Sequence, residues 1–580
     1  MLNMRKTLLA TAVITATLSL TACGGSGSDK KNTPVTTTPV NKAPTAILLS
    51  ANAIVEDSLG AVVGSLSATD DVTTGHTFST DDARFEIVAG QLKLKADLAL
   101  NYEEASSVKV AVKVTDAGGL TFSQDLDIAV TDIENQAGVN IYQFDSAFIA
   151  GKSSVSYTGQ IARHALSAEI KAYMADVSKN AELNNIQAAD VAAKLNAMWS
   201  DYAAVADSDL TFLGADFPSL QTTLADISSS GKELSGKIAG NDGAKMYKDW
   251  QAQGSFVGWT DFGTQAKTPE GLIKHYFDLF VAQVTKSNNG ELNQLAGSDT
   301  LLPLHVTPEG LDLIQLVQKH TLGAVMFSQG TDDYLEEGLN TEHTQDGSQS
   351  YSKLEHQFDE GFGYFGASRN YLEMTDSEIA AGNASTDLNF DGKVDLTAEY
   401  VWGNSSNAAK RDLGANGLTD FTAEAMTHFI AGRQLLAQTV GTALTTEQMA
   451  QLKVHAAAAS LAWEKAIAAT VIHYINDVTA DIAKFGNDSM NYSDYAKHWA
   501  EMKGFALNFQ FSPYSPFSDS ALNPKKDTVG AAQFAQLHAL LQDAPVLNAE
   551  KIEAYKADLA TARNLLQQAY EFDELITNNW

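Results

Sequence analysis

LTFSQDLDIAV (Leu120–Val130) alternates apolar and polar residues with a period of two, whereas TGQIARHALSAEIKAYMADV (Thr158–Val177) repeats its apolar residues every three or four. The first pattern is that of a half-buried strand and the second that of an amphipathic helix. Working back from Leu120, the runs Thr45–Leu49, Gly64–Ala68, Phe85–Val88, Gln91–Leu94 and Val108–Thr115 share the strand pattern. Turn residues such as Ala89-Gly90 and Asp116-Ala117-Gly118-Gly119 separate them. Residues 43–137 are therefore expected to form an antiparallel β-sandwich. Working forward from Val177, the helical period recurs at Ala188–Trp199, Glu270–Ser287, Pro308–Thr321, Ser350–Phe365, Asp420–Val440, Thr446–Ala483, Tyr492–Phe509, Val529–Gln542 and Ala549–Tyr570. Polar starts at Thr307-Pro308, Thr445-Thr446-Glu447 and Asn548-Ala549-Glu550 support three of these. The expected fold class is thus multidomain, with residues 138–580 an all-α body of one or two bundles.

The chain has 580 residues and a formal charge of −32, from 71 acidic against 39 basic side chains. That excess repels phosphate backbones, so nucleic acid is not an expected partner. The single cysteine, Cys23, follows Arg5-Lys6, the apolar segment Thr7–Thr21 and the small residue Ala22. Leu20-Thr-Ala-Cys23 resembles the lipobox of bacterial lipoproteins. The resemblance implies removal of a signal peptide at 1–22 and acylation of Cys23 with diacylglycerol and a further chain such as palmitate. Two or more chains anchor stably where one does not. Gly24 after the cysteine implies outer-membrane sorting within the bacterial cell envelope, with the membrane a partner through that lipid. The plainer alternative is an ordinary secretory signal. Residues 23–42, rich in Gly, Ser, Thr and Pro, read as a flexible tether. With its one thiol acylated, the chain has no disulfide, and any metal must take oxygen or imidazole ligands.

The sandwich carries Leu100-Asn-Tyr-Glu103, Thr115-Asp-Ala-Gly-Gly119 and Thr131-Asp-Ile-Glu-Asn135, with Glu56 upstream. These positions resemble the acidic motifs of cadherin-like repeats. The resemblance implies calcium at Glu56, Glu103, Asp116 and Asp132, although Asn101 and Glu134-Asn135 depart from the family pattern. The alternative is a structural spacer whose acids are solvated.

Asp387-Leu-Asn389-Phe-Asp391-Gly392-Lys393-Val-Asp395 places oxygen donors at positions 1, 3 and 5 and glycine at position 6, as calcium loops do. Lys393 would offer its carbonyl, and the acid expected at position 12 arrives one residue late as Glu399. The candidate calcium ligands are Asp387, Asn389, Asp391, Lys393, Asp395 and Glu399; the alternative is an ion-free turn.

His356-Gln-Phe-Asp359-Glu360 and His498-Trp-Ala-Glu501 each put an imidazole and a carboxylate on one helix face, a spacing that His275/Asp278 and His343/Asp346 repeat. Should the helices converge, His356, Asp359, Glu360, His498 and Glu501 could hold iron or zinc. Helix-surface or core histidines are the alternative. Gly361-Phe-Gly-Tyr-Phe-Gly366 matches G-x-G-x-x-G but lies in a helical region, so its glycines are expected to end or bend a helix while Phe362, Tyr364 and Phe365 pack. No H-E-x-x-H or G-x-S-x-G occurs, and no enzyme is expected.

Tyr142-Gln-Phe-Asp-Ser146, Ser153–Gln160, Asp359–Gly366, Asp387–Glu399 and Asn407–Asp412 resemble a family of bacterial lipoprotein domains of unknown function. A more distant likeness is to imelysins, helical envelope proteins linked to iron uptake, whose G-x-H-x-x-E signature has Leu354 and Ala496 at its glycine here. The expectation is a surface or periplasmic lipid-anchored binding protein, calcium-stabilised and engaged in metal capture. The alternative is an adhesion or scaffold lipoprotein acting through the sandwich on a protein partner.

Overall fold

The computed structural model describes residues 41–580 except 56–59, 72–73, 96–97, 101, 103–104, 132–139, 182–184, 230, 243–245, 382–386, 388 and 390. Cys23, Glu56, Glu103 and Asp132 lie outside the described residues.

Eight strands build the first region: β1 (Ala46–Leu49), β2 (Ala53–Val55), β3 (Val62–Thr69), β4 (Thr77–Thr80), β5 (Phe85–Val88), β6 (Gln91–Leu94), β7 (Ser107–Thr115) and β8 (Thr121–Thr131). They form two four-stranded sheets, ordered β1-β3-β6-β5 and β2-β8-β7-β4. Every pairing is antiparallel except β2 with β8, which run parallel in the register Ala53↔Ala129 to Val55↔Thr131. Period-two alternation turns Val110, Val112, Val114, Leu126 and Ile128 inward against Leu92 and Leu94, so both sheets share one apolar core. Strands β2 and β4 were absent from the sequence reading, being short and weakly patterned.

The second region holds α1 (Thr158–Asn180), α2 (Ala188–Ser200), α3 (Leu224–Ile227), α4 (Pro269–Asn288), α5 (Leu313–Thr321), α6 (Lys353–Phe365), α7 (Asp376–Ala380), α8 (Gly403–Gly414), α9 (Phe421–Thr439), α10 (Thr446–Ile482), α11 (Tyr492–Ala506), α12 (Ala531–Leu541), α13 (Ile552–Tyr570) and α14 (Glu574–Thr577). One continuous core runs from Tyr142 to Trp580, rather than two separate bundles. Its axis is α10, whose 37 residues span about 55 Å at the α-helical rise. Helices α8, α9, α11 and α13 pack around it. No described helix is long and apolar enough to cross a membrane.

Helix starts follow local chemistry. Ser352 and Glu355 close a capping box on α6, and Thr445 with Gln448 does so on α10. Helix α5 starts at Leu313, not Pro308. Asp312 is its cap, and Thr307–Leu311 instead closes a turn around Gly310, at φ +85°. Beyond α5 the helix widens into two π-type stretches, Leu322–Phe327 and Gln329–Tyr334, which are almost wholly buried. These moor the long irregular connection before α4: Asp332 accepts from the Tyr247 amide at 3.1 Å, and Gln329 donates to Asp242. Gly366, at φ +77°, ends α6 in the left-handed conformation, while Phe362, Tyr364 and Phe365 are fully buried, as the glycine pattern led us to expect.

Candidate functional site

Helix α6 presents two chemically different faces. On its inner face Asp359 accepts from Arg433 Nε, Tyr142 Oη (both at 2.8 Å) and the Ser156 amide at 3.0 Å. Arg433, fully buried on α9, also donates to Glu355 at 2.8 Å and Ser154 Oγ at 2.6 Å, and its guanidinium lies 4.8 Å from the Phe144 ring centre. Burial alone would lower the Arg433 pKa, but the Asp359 and Glu355 carboxylates outweigh it and hold the group charged. This knot ties the Tyr142–Ser156 segment to α6 and α9. Asp359 is thereby a structural anion, with its oxygens already taken.

The outer face of α6 borders a polar cavity of about 610 Å³ shared with the start of α1, the segment after α3 and Tyr351. His356 Nδ1 donates to the Ser156 carbonyl at 2.9 Å, and its Nε2 lies 3.8 Å from Glu360 Oε1. Glu360 in turn accepts from Gln160 at 2.7 Å, and the Tyr351 ring stacks on His356 with centres 4.5 Å apart. A carboxylate and a ring nitrogen thus stand together on this wall of the cavity.

Across the cavity, α1 begins without a side-chain cap at Tyr157, and Thr158, Gly159 and Gln160 line the opening. Lys232 lies directly over this start. A Cβ on Gly159 would fall 2.9 Å from Lys232 Cε and 3.1 Å from Nζ, so a larger residue there would push the lysine tip aside. Burial, reinforced by the charge of Arg163, lowers the Lys232 pKa. Lys232 lines this end of the cavity, and the Glu360 and Glu233 carboxylates lie near enough to favour its charged form.

The remaining expected metal ligands sit apart. His498 pairs with Asp481 at 2.8 Å rather than with Glu501, which faces Lys319 at 3.3 Å. Helix α11, which carries both His498 and Glu501, packs on α10 and α5, while α6 packs on α1 and α9. His343 is a core residue bonded to Ser352 and the Leu436 carbonyl. Among the described residues no group of three or more His, Cys, Asp or Glu is arranged to hold a metal ion.

In the 387–399 loop, Asp387 accepts from the amides of Asp391 and Gly392, and Asp391 from that of Lys393. Asp395 accepts from Thr397 and Gln221, and Glu399 from the Asp395 amide. Gly392 turns at φ +80°. The calcium expected of this loop rests on its sequence pattern alone. In the sandwich, Asp116 holds its own turn, accepting from Asn41 and the Leu120 amide, both at 2.8 Å.

Sequence reading located His356 and Glu360 but missed Gln160 and Lys232, which come from the opposite end of the region. The uncapped start Tyr157-Thr-Gly159-Gln160 was the available signal. Residues 260–512 match a domain of unknown function, DUF4856. The DUF4856 match includes α6, the 387–399 loop and Arg433; α1 and Lys232 precede it. No curated protein matches the chain.

Proposed function

We propose that the protein is a lipid-anchored envelope protein that captures a small hydroxy acid or amino acid in the cavity between α1 and α6. Cys23 supplies the anchor and the sandwich the spacer. The observation that carries the reading is the polarity of the cavity. At one end Lys232 and the uncapped α1 amides call for an acidic group. At the other, His356 Nε2 and Glu360 call for a hydroxyl or amino donor. This reading replaces metal capture through His356 and His498, because Asp359, His498 and Glu501 are each engaged by other partners.

The test is a thermal-shift screen of the 24–580 protein against common amino acids and hydroxy acids, followed by calorimetry. A ligand at a hundred times its Kd stabilises by about 2.7 kcal/mol. At least one compound should raise the melting temperature, and Lys232→Ala and His356→Ala should each remove the effect. A screen with no stabilising compound, or binding that survives both substitutions, sinks the reading.

A further inference from the structure

A second cavity, of about 440 Å³, lies where α9, α10 and the end of α13 meet the 516–525 segment; Ala99 of the sandwich also borders it. Ala458, Leu461, Ala462 and Ala569 give it an apolar lining. Its charged residues are paired with each other, Glu424 with Lys465 at 3.7 Å and Lys525 with Glu571 at 2.5 Å. The polar side chain that stands out is His428, on its wall.

His428 Nδ1 lies 3.1 Å from Nδ1 of His455 on α10. Burial drives the two imidazoles down to about 4 and about 3, so both are neutral at pH 7. One must therefore donate to the other, and two arrangements are open. If His428 donated, His455 would carry its proton on Nε2, which is buried with no partner. An orphaned N–H in a core is rarer than an under-used acceptor, because a stranded buried donor loses its hydration and gains nothing for it. If His455 donates, its Nε2 is a bare ring nitrogen, and His428 carries its own proton on Nε2. With Nδ1 turned to His455, that N–H is left for the cavity. The buried pair thus fixes a neutral donor beside the apolar Ala458, Leu461, Ala462 and Ala569, a combination typical of small-molecule sites.

We propose that this cavity is a second ligand site, for a small amphipathic acyl compound. Its carboxylate or carbonyl oxygen accepts from His428 Nε2–H, and its hydrocarbon part covers Ala458, Leu461 and Ala569. His455 acts as a positioning residue that sets the tautomer.

Calorimetry of the 24–580 protein with hexanoate tests this, with hexylammonium as a probe that has the same chain and no acceptor. Hexanoate should bind at one site in preference to hexylammonium. His428→Leu, and separately the cavity-filling Leu461→Trp, which keeps the histidine pair, should each weaken it at least tenfold. Lys109→Met, at an exposed pair in the sandwich, should leave it unchanged. Should His428→Leu fail to fold, Leu461→Trp still decides whether this cavity is the site. Absence of hexanoate binding, equal binding of hexylammonium, full retention in Leu461→Trp, or loss in Lys109→Met would each overturn the proposal.

Discussion

The sandwich keeps most of its charges in water and, among the described residues, buries only carboxylates such as Asp116, while the helical body draws cation and anion inside together. Lys109 and Asp127 pair across β7 and β8 at 2.7 Å with both side chains about two-thirds exposed, at 67% and 68%. In the helical body Arg433, Asp359 and Glu355, which pair with one another, are buried to 2% exposure or less. An alternating strand needs only two kinds of position, and that suffices for a spacer. A body that buries full charges must position each partner, and both candidate cavities adjoin such buried polar groups. On the function proposed above, the difference separates a part that holds distance from a part that holds ligands.

The strongest way to break this contrast is at Arg433. Arg433→Met leaves Asp359 and Glu355 buried without their cation and should cost about 3–5 kcal/mol, read as a lower urea midpoint for the helical transition. Lys109→Met, at the exposed pair, should leave the sandwich midpoint where it is. Equal effects would erase the distinction.

A comparable loss confined to the sandwich should follow from Leu92→Ala, which empties a fully buried position. We expect about 2–5 kcal/mol, with the helical transition unmoved. A shift in both transitions would show that the two regions unfold as one.

The effect smallest at acid pH concerns Glu464, fully buried on α10 and accepting from Tyr570 Oη at 2.6 Å. Burial raises its pKa from 4.5 to about 8. The folded protein therefore holds a proton that the unfolded chain releases between those values, and this contribution is lost as pH rises through that window. Glu464→Gln does not titrate. Its stability relative to wild type should improve by about 1.4 kcal/mol per pH unit between pH 5 and 7.5, then level off above pH 8. A flat difference would mean that Glu464 is ionised in the fold.

The legible parts of the fold were those where one period dominates. Strands β5 and β6 were read to the residue, and α9 to within one at each end. Helix α8 escaped notice because GNSSNAAKRDLG buries Asn404, Ser405, Ala408 and Asp412, small and polar residues that leave no apolar stripe. The π-type stretches were invisible for a different reason, since LGAVMF and QGTDDY are buried nearly all round and carry no record of their turn width. At the first cavity, His356 and Glu360 announced themselves by helical spacing, but Gln160 meets Glu360 across 200 residues of chain. Arg433 left one trace, a lone charge within Phe429-Ile-Ala-Gly-Arg-Gln-Leu-Leu436. Its partner Asp359 was read only as a candidate metal ligand, because spacing shows which side chains share a helix, not what faces them.

The parallel pairing of β2 with β8 carries a mechanical consequence. The chain enters the sandwich at its first strands and leaves after Thr131, and the paired segments Ala53–Val55 and Ala129–Thr131 run in the same direction. A pull between the two ends drags β2 backward along β8, so the hydrogen bonds joining them are loaded together in shear rather than opened one after another. A spacer wired in this way resists extension along the line on which it is stretched.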